Sequence, residues 1–167
     1  MFYCTTTGQY IREGTPFEIN GIQYPQNWLN LSTPQEKIDI DLEEVIATNS
    51  PANDQYYWVS TELSGATLTY VNTPKDLDTC KNNAVSQLRT TAYTMLLPTD
   101  WMVVKSVETS TPIPTDWNTW RASIRTTCEN AITAVNACAD VDALATVMGS
   151  VVWDRSPADT IQAEQTV

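Results

Sequence analysis

Apolar residues follow two different periods along this chain, and the change falls near residue 73. Before it, alternating or aromatic-rich segments are separated by turn residues, which is typical of short strands and loops. After it, apolar residues recur every three or four positions, as in amphipathic helices. The pattern predicts an α+β fold: a small N-terminal β-rich unit over residues 1–72, a C-terminal antiparallel helical hairpin within residues 73–155, and a polar tail over 156–167.

The N-terminal unit contains several candidate strands and turns. The strand and loop segments are residues 2–6, 9–12, 17–23, 37–45, 55–61 and 66–71. Asn20-Gly21 predicts a two-residue hairpin turn, because both central positions of a type I′ turn need positive φ. Residues 32–36 predict a capped helical turn, and residues 39–42 alternate like a half-buried strand. Residues 50–54 predict a loop.

A long amphipathic helix of ~22 residues is predicted after residue 72. Thr73, Pro74 and Asp76 form its capped start. Its apolar stripe consists of Leu77, Cys80, Ala84, Leu88, Ala92 and Met95. We expect Pro98 to end this helix, because the proline ring disfavours a helical conformation at the preceding residue.

A second long helix is predicted to begin near Thr115. Its apolar stripe consists of Trp117, Trp120, Ile124, Cys128, Ile132 and Val135. A short helix over residues 100–107 and a loop connect the two long helices, which favours an antiparallel hairpin. Residues 140–148 are expected to add a third short helix, ended by Gly149, and residues 151–153 resemble a terminal strand or docking segment.

The tetrapeptide Pro-Thr-Asp-Trp occurs twice, at residues 98–101 and 114–117. In each copy the Thr is expected to cap a helix by accepting a hydrogen bond from an unpaired N–H. The following Asp then lies near the positive end of the helix dipole. We interpret the two copies as the same helix start used twice, because their spacing is too short for a solenoid repeat.

A longer pattern surrounds these two helix starts: a Leu pair, Thr-Asp-Trp, a basic residue, Glu, Pro, and then aromatic-X-X-aromatic-Arg. The matching residues are Leu96, Leu97, Thr99, Asp100, Trp101, Lys105, Glu108, Pro114, Trp117, Trp120, Arg121 and Arg125. This pattern resembles the C-terminal part of bacteriophage tail-fibre assembly proteins and related phage tail proteins. The family pattern closes on Trp-Pro, whereas three residues separate Trp153 from Pro157 here. The resemblance covers the last half of the chain and implies a phage tail context.

The charge and the hydropathy of the chain argue against two classes of partner. It has 20 acidic and 9 basic residues, a net charge of −11, and no Lys/Arg cluster that would neutralise phosphates, so we expect no nucleic-acid binding. DNA mimicry is an alternative use of negative charge, but the carboxylates are dispersed, which favours a role in solubility. No apolar run approaches the ~20 residues that span a bilayer, and the N-terminus does not resemble a secretory signal. We therefore expect that the protein does not associate with a membrane and that it is synthesised in a cytoplasm.

The sequence contains no recognisable catalytic or metal-binding pattern. It has no His, which removes the commonest general base, and no P-loop or G-x-G-x-x-G motif. Its carboxylates show no spacing that selects a glycosidase pair. The four cysteines have no C-x-x-C spacing and are expected to be buried free thiols, with Cys80 and Cys128 facing each other across the helical pair. We therefore expect no enzymatic activity, no cofactor and no metal.

Tryptophan and arginine supply the candidate contact residues. Trp28 and Trp153 are candidate partner contacts, because Trp is enriched among binding hot spots. Trp101, Trp117 and Trp120 are expected to fill the junction between the helices.

Arg121 and Arg125 lie one helical turn apart and are expected to share a face. We expect them to form surface salt bridges with Asp100 or Glu108, each contributing ~0.2–1 kcal/mol. The alternative is that these arginines bind an acidic partner.

Together these patterns predict a non-enzymatic bacteriophage tail-associated protein, a structural or attachment component of a tail fibre or baseplate that acts by protein–protein contacts. One alternative is a tail-fibre assembly chaperone that is not retained in the virion. Another is a glycan-binding receptor-recognition protein that uses exposed Trp and Tyr. The expected partners are other phage tail or fibre proteins, with a homo-oligomer as a further option. The expected location is the host cytoplasm during assembly and then the tail of the virion.

Overall fold

The computed structural model describes residues 1–159 and divides into two compact units, one ending at Thr73 and the other beginning at Pro74. Strands dominate the first unit and helices the second, so the predicted α+β fold is confirmed. Among the described residues, no helix is both long and apolar enough to cross a bilayer.

The first unit is built from six strands of two or three residues, two strands of eight residues and two short helices. The strands are β1 (Phe2–Cys4), β2 (Tyr10–Ile11), β3 (Phe17–Ile19), β4 (Ile22–Tyr24), β5 (Leu42–Glu44), β6 (Ile46–Ala47), β7 (Tyr57–Ser64) and β8 (Thr67–Pro74), and the helices are α1 (Trp28–Leu31) and α2 (Pro34–Asp39). One sheet has the order β2-β1-β5, β3 and β4 form a separate hairpin, and a third sheet has the order β6-β8-β7. β1 is antiparallel to both of its neighbours, whereas β6 is parallel to β8.

Local sequence signals explain two features of this unit. Asn20 and Gly21 have φ of 51° and 80°, which confirms the predicted turn between β3 and β4. At the start of α2, the Thr33 hydroxyl accepts a hydrogen bond from the N–H of Glu36, and the Glu36 carboxylate accepts one from the N–H of Thr33. This reciprocal cap, followed by Pro34 in the first helical turn, confirms the predicted helical turn.

The predicted strand over residues 37–45 is wrong in its first half. α2 continues to Asp39, and Asp41 has φ of 61°, so the strand begins only at Leu42. The physical reason is the strong cap of α2, which extends the helix through residues whose alternation resembles a strand. A small core, which includes Phe2 and Leu42, then closes between β1, β5 and α1.

Over residues 74–156, the second unit has four helices and one short turn. They are α3 (Leu77–Leu96), a 3₁₀ turn (Leu97–Thr99), α4 (Asp100–Thr109), α5 (Thr115–Ala137) and α6 (Val141–Ser150). Two contacts show that α3 and α5 are antiparallel, as predicted. Lys81 Nζ at the start of α3 donates to the carbonyl of Asn136 near the end of α5 (3.0 Å). Arg121 Nη1 near the start of α5 donates to the carbonyl of Leu96 at the end of α3 (3.1 Å).

The buried stripe of α3 is the predicted one at its centre. In α5, two predicted residues, Trp117 and Ile132, are only half-buried, and two others, Arg121 and Ala131, are buried. In α3 the buried residues are Cys80, Ala84, Leu88 and Ala92; in α5 they are Trp120, Arg121, Ile124, Cys128, Ala131 and Val135. Ile132 is half-buried, and Ala131 occupies the buried position instead. All four cysteines are free and buried, as expected. Cys80 and Cys128 do not face each other, because the Lys81–Asn136 contact places Cys80 about two and a half helical turns, ~13 Å, from the level of Cys128.

Pro98 ends α3 by a different mechanism from the predicted one. Leu97 keeps a helical backbone, with φ −50° and ψ −46°, although it precedes the proline. Proline has no N–H to donate to the preceding turn, so the α-helical ladder stops and a 3₁₀ turn follows. The site of the helix end is therefore predictable from Pro98, but the conformation of Leu97 is not.

The two Pro-Thr-Asp-Trp copies start helices without the predicted threonine caps. Thr99 precedes α4 but its side chain makes no capping bond, and Thr115 is already the first residue of α5. Asp100 and Asp116 do lie in the first turns, where the helix dipole favours them.

The C-terminal part of the second unit departs from prediction in two places. Asp140 caps α6 by accepting a hydrogen bond from the N–H of Ala143 (2.8 Å), but the helix continues past Gly149 to Ser150. Residues 151–153 are described and do not form a strand. Of the predicted polar tail, residues 160–167 lie outside the described residues.

Candidate partner-binding surface

A buried arginine holds the turn between α3 and α4 against α5. The Arg121 side chain is only 3% exposed. Its guanidinium donates to the carbonyl of Leu96 (3.1 Å), to the hydroxyl of Thr99, and to the Asp100 carboxylate (2.7 Å). Five donors in a planar fork suit this set of acceptors, which the three hydrogens of a lysine could not match in direction.

Thr99 has a structural role in this arrangement. It is 4% exposed, and its hydroxyl donates to the carbonyl of Leu96 (2.7 Å) while accepting from Arg121. The Thr99 and Arg121 side chains thus share the acceptor that the end of α3 leaves open, which satisfies an otherwise unpaired carbonyl. This network fixes where α4 begins and in which direction it leaves.

The expected ion pair therefore exists, but it is not a surface pair. Arg121 pairs with Asp100 rather than Glu108, and it is buried, whereas the Asp100 side chain is half exposed. Arg125 is exposed and donates to the carbonyl of Arg121 (3.3 Å), so the two arginines do not share an environment. Glu108 is exposed near the end of α4.

The three tryptophans of the motif occupy different environments. Trp120 is 7% exposed, and its ring N–H donates to the carbonyl of Asp154 (3.0 Å). Trp117 is half-buried and meets Trp120 edge to face, with ring centroids 5.7 Å apart. Trp120 is therefore buried, as expected of a core residue, whereas Trp117 is only half-buried against it. The same expectation is wrong for Trp101, which is 56% exposed on α4.

Helix α4 carries an apolar surface that the second unit leaves open. All its residues are exposed or half-buried. Leu97, Trp101, Val104 and Val107 recur at steps of three or four and therefore lie along one side of the 3₁₀ turn and the helix. All four are exposed, Val107 by 78%. We call these four residues the α4 apolar surface.

A shallow groove of about 140 Å³ borders this surface. Its lining includes Trp101, Lys105 and Pro114, with the Lys105 ammonium 5.8 Å from the centre of the Trp101 ring. This spacing permits a cation–π contact, which favours one orientation of the exposed indole. Two separate parts of the family-like pattern, Trp101 and Pro114, thus meet in one groove.

The remaining tryptophan candidates are not among the residues of this surface. Trp28 belongs to the first unit, where it is half-buried and packs edge-on against Phe17 (5.9 Å) and Tyr24 (4.9 Å). Trp153 is half-buried after α6.

The perturbed carboxyl groups among the described residues have structural causes. No three His, Cys, Asp or Glu side chains within residues 1–159 are grouped as a metal site. Few carboxyl groups are perturbed: hydrogen bonds from the Thr33 N–H and hydroxyl lower the pKa of Glu36, and those from the Thr79 hydroxyl and N–H lower the pKa of Asp76. Both carboxylates cap helices, which accounts for the shifts without an active site.

Comparisons with models of protein families, with curated protein sequences and with solved structures give no significant match.

Sequence patterns alone did not reveal the α4 apolar surface. Trp101, Val104 and Val107 recur at steps of three, which predicts an apolar side of α4 but not its exposure. The burial of Arg121 was also missed, because a charged residue on a helical stripe is normally assigned to the surface. The sequence feature that indicates burial of Arg121 is its position between two residues of the apolar stripe, Trp120 and Ile124.

Proposed function

We propose that this chain is a non-enzymatic bacteriophage tail-associated protein that acts by protein–protein contact, and that the α4 apolar surface is its contact. The exposure of Leu97, Trp101, Val104 and Val107 on one side carries the proposal. Exposed contiguous apolar surface is typical of interaction sites. The family-like pattern, residues 96–125, contains this surface and supports the tail context.

A protein is the partner that this surface chemistry favours. Its side chains are one indole and three aliphatic groups, which offer a sugar no hydrogen-bond acceptor and a phosphate only one donor, the indole N–H. An amphipathic helix of this kind commonly binds a hydrophobic groove of its partner through residues one turn apart. The Arg121 network presents α4 in a fixed direction, which reduces the ordering cost of binding.

The first experiment is quantitative mass spectrometry of purified phage particles and of infected-cell lysate. A fixed copy number that is a multiple of the tail symmetry supports a structural component. Absence from particles, together with recovery in complex with fibre protein from lysate, favours the chaperone alternative. Recovery with no tail or fibre protein in either sample would overturn the proposal.

A matched pair of variants tests the surface itself. Val107 and Val152 are both 78% exposed, but only Val107 belongs to the α4 apolar surface. We expect Val107→Lys to reduce association with tail proteins at least about tenfold, because it places a charge in an apolar contact. Val152→Lys should leave association unchanged. Equal effects of the two substitutions would contradict the assignment of this surface.

A further inference from the structure

The sheet β6-β8-β7 has one protected edge and one open edge. On the β6 side, the N–H groups of Ile46 and Thr48 donate to the carbonyls of Ala66 and Leu68 (3.0 Å each). Beyond β6 the Asn49 side chain continues the ladder, donating to the carbonyl of Tyr70 and accepting from its N–H (2.8 Å each). On the other side, no strand within residues 1–159 lies beside β7.

These contacts determine which groups of β7 face the open edge. Ala66, Leu68 and Tyr70 bond toward β6, so the odd-numbered residues of β8 bond toward β7. The two-residue turn at Gly65-Ala66 sets Ser64 opposite Thr67. Even-numbered residues of β7 therefore bond to β8.

The odd-numbered residues of β7 point their N–H and C=O groups outward. Tyr57 is the exception among them, because its N–H already donates to the carbonyl of Asn53 (3.0 Å). The outward set that remains is Val59, Thr61 and Leu63. All three residues are exposed.

The open edge lacks the usual protection against strand pairing. Natural edge strands are commonly short, or carry Lys, Pro or a bulge that prevents another strand from joining them. β7 has eight residues, YWVSTELS, with no Pro, Gly or Lys and only one charge, Glu62. An edge of this length without such residues is a site for adding a strand.

We propose that β7 pairs with β7 of a second copy of this chain, antiparallel and across a two-fold axis at Thr61. This axis sets Thr61 opposite itself and Val59 opposite Leu63 of the second copy, so that all outward groups of these residues find partners, in about six hydrogen bonds. An axis at Ser60 would instead need the N–H of Tyr57, which is already bonded.

Charge also favours this register. An axis at Thr61 places Glu62 opposite Ser60 of the second copy, whereas an axis at Glu62 would oppose two carboxylates. The strand is therefore complementary to itself, as a two-fold interface requires. This inference stands on the geometry of the first unit and does not depend on the proposed tail function or on α4.

Sedimentation equilibrium of the full chain tests the pairing. We expect wild type to dimerise with concentration and Thr61→Ala, which keeps the N–H, to do the same. Thr61→Pro removes the outward N–H but no bond to β8, so its association should weaken at least about tenfold with unchanged circular dichroism. A monomeric wild type, or a dimer that Thr61→Pro leaves intact, would overturn the proposal.

Cysteine cross-linking tests the register without relying on proline. In a hydrogen-bonded antiparallel pair the Cα atoms lie about 5.5 Å apart, within the range that a disulfide spans. Because the four native cysteines are buried, Thr61→Cys should give an oxidised dimer while Ser60→Cys and Glu62→Cys give little. Equal cross-linking of all three, or none at Thr61→Cys, would contradict an axis at Thr61.

Discussion

At the scale of single residues, Arg121 shows how burial changes the meaning of a charged side chain. The sequence pattern predicts a surface pair worth little, but the structure buries the guanidinium against Leu96, Thr99 and Asp100. Removing a buried arginine leaves its acceptors unpaired and opens a cavity, and these costs add. The residue therefore stabilises the second unit and orients α4.

We expect Arg121→Ala to lower the free energy of unfolding by about 3 kcal/mol, because the Leu96 carbonyl and the Thr99 hydroxyl each lose one donated hydrogen bond and the buried side chain leaves a cavity. Arg125→Ala is the matched control, since Arg125 is an exposed arginine one turn later, and it should cost less than about 0.5 kcal/mol. Urea denaturation of both variants measures the difference. Similar values for the two would show that the buried network contributes little.

Trp120 and Trp101 provide a second residue-scale contrast. Trp120→Ala should cost ~3–5 kcal/mol, because the ring is 7% exposed and its N–H is bonded to the carbonyl of Asp154. Trp101→Ala removes a 56% exposed ring and should cost less than about 1 kcal/mol. Thermal and urea unfolding check both values, and a loss below about 1 kcal/mol for Trp120→Ala would refute its core position.

At the scale of elements, local signals account for some boundaries and not for others. The Asn20-Gly21 turn, the cap of α2 at Thr33 and the end of α3 before Pro98 each depend on a few adjacent residues. β6 has no such signal, because it is a two-residue strand that forms only beside β8, some twenty residues away in the chain. Its existence depends on a partner that the local pattern does not contain.

The start of α3 should make stability depend on pH. Hydrogen bonds from the Thr79 hydroxyl (2.5 Å) and N–H (2.8 Å) hold the pKa of Asp76 below its ordinary value of 3.8. A carboxyl group whose pKa is lower in the folded state than in the unfolded state stabilises the fold at any pH above its unfolded-state pKa. This stabilisation is lost as the pH falls through the folded-state pKa.

We therefore expect the stability difference between wild type and Asp76→Ala to be constant above about pH 5 and to shrink below about pH 4. Asp76→Asn keeps a hydrogen-bond acceptor for the cap but no titrating group, so the contribution of this cap to stability should not change over that pH range. Thermal midpoints measured from neutral to acid pH provide the comparison. A wild-type advantage over Asp76→Ala that persists unchanged in acid would exclude this origin.

At the scale of the whole molecule, the two proposed contacts belong to different units. The α4 apolar surface lies in the helical unit, and the open edge of β7 lies in the β-rich unit. One surface would bind a different protein and the other a second copy, so substitutions in each can be tested separately.

Net charge should oppose self-association. Two copies that each carry a charge of −11 repel each other, and salt screens this repulsion over about 10 Å at 0.1 M. We expect dimerisation through β7 to strengthen between about 0.02 M and about 0.5 M NaCl, because salt weakens the repulsion between the two negatively charged copies. β7 itself carries only one charged residue, Glu62, so salt has little attraction to screen within the strand pair. Sedimentation at the two salt concentrations measures the change. A dimer that weakens with salt would indicate an interface held by opposite charges instead.

The sequence by itself determined the fold class, the position of the two long helices and most of their buried stripes, because these follow from periodicity and from nearby caps and breakers. Only the tertiary structure decided that Arg121 is buried while Trp101, Val104 and Val107 remain exposed. The physical reason is that periodicity tells which residues share a side of a helix, but only the packing of neighbouring elements determines whether that side is covered. The open edge of β7 is also decided by the tertiary structure, because the order of strands in the folded sheet determines which strand lies at an edge.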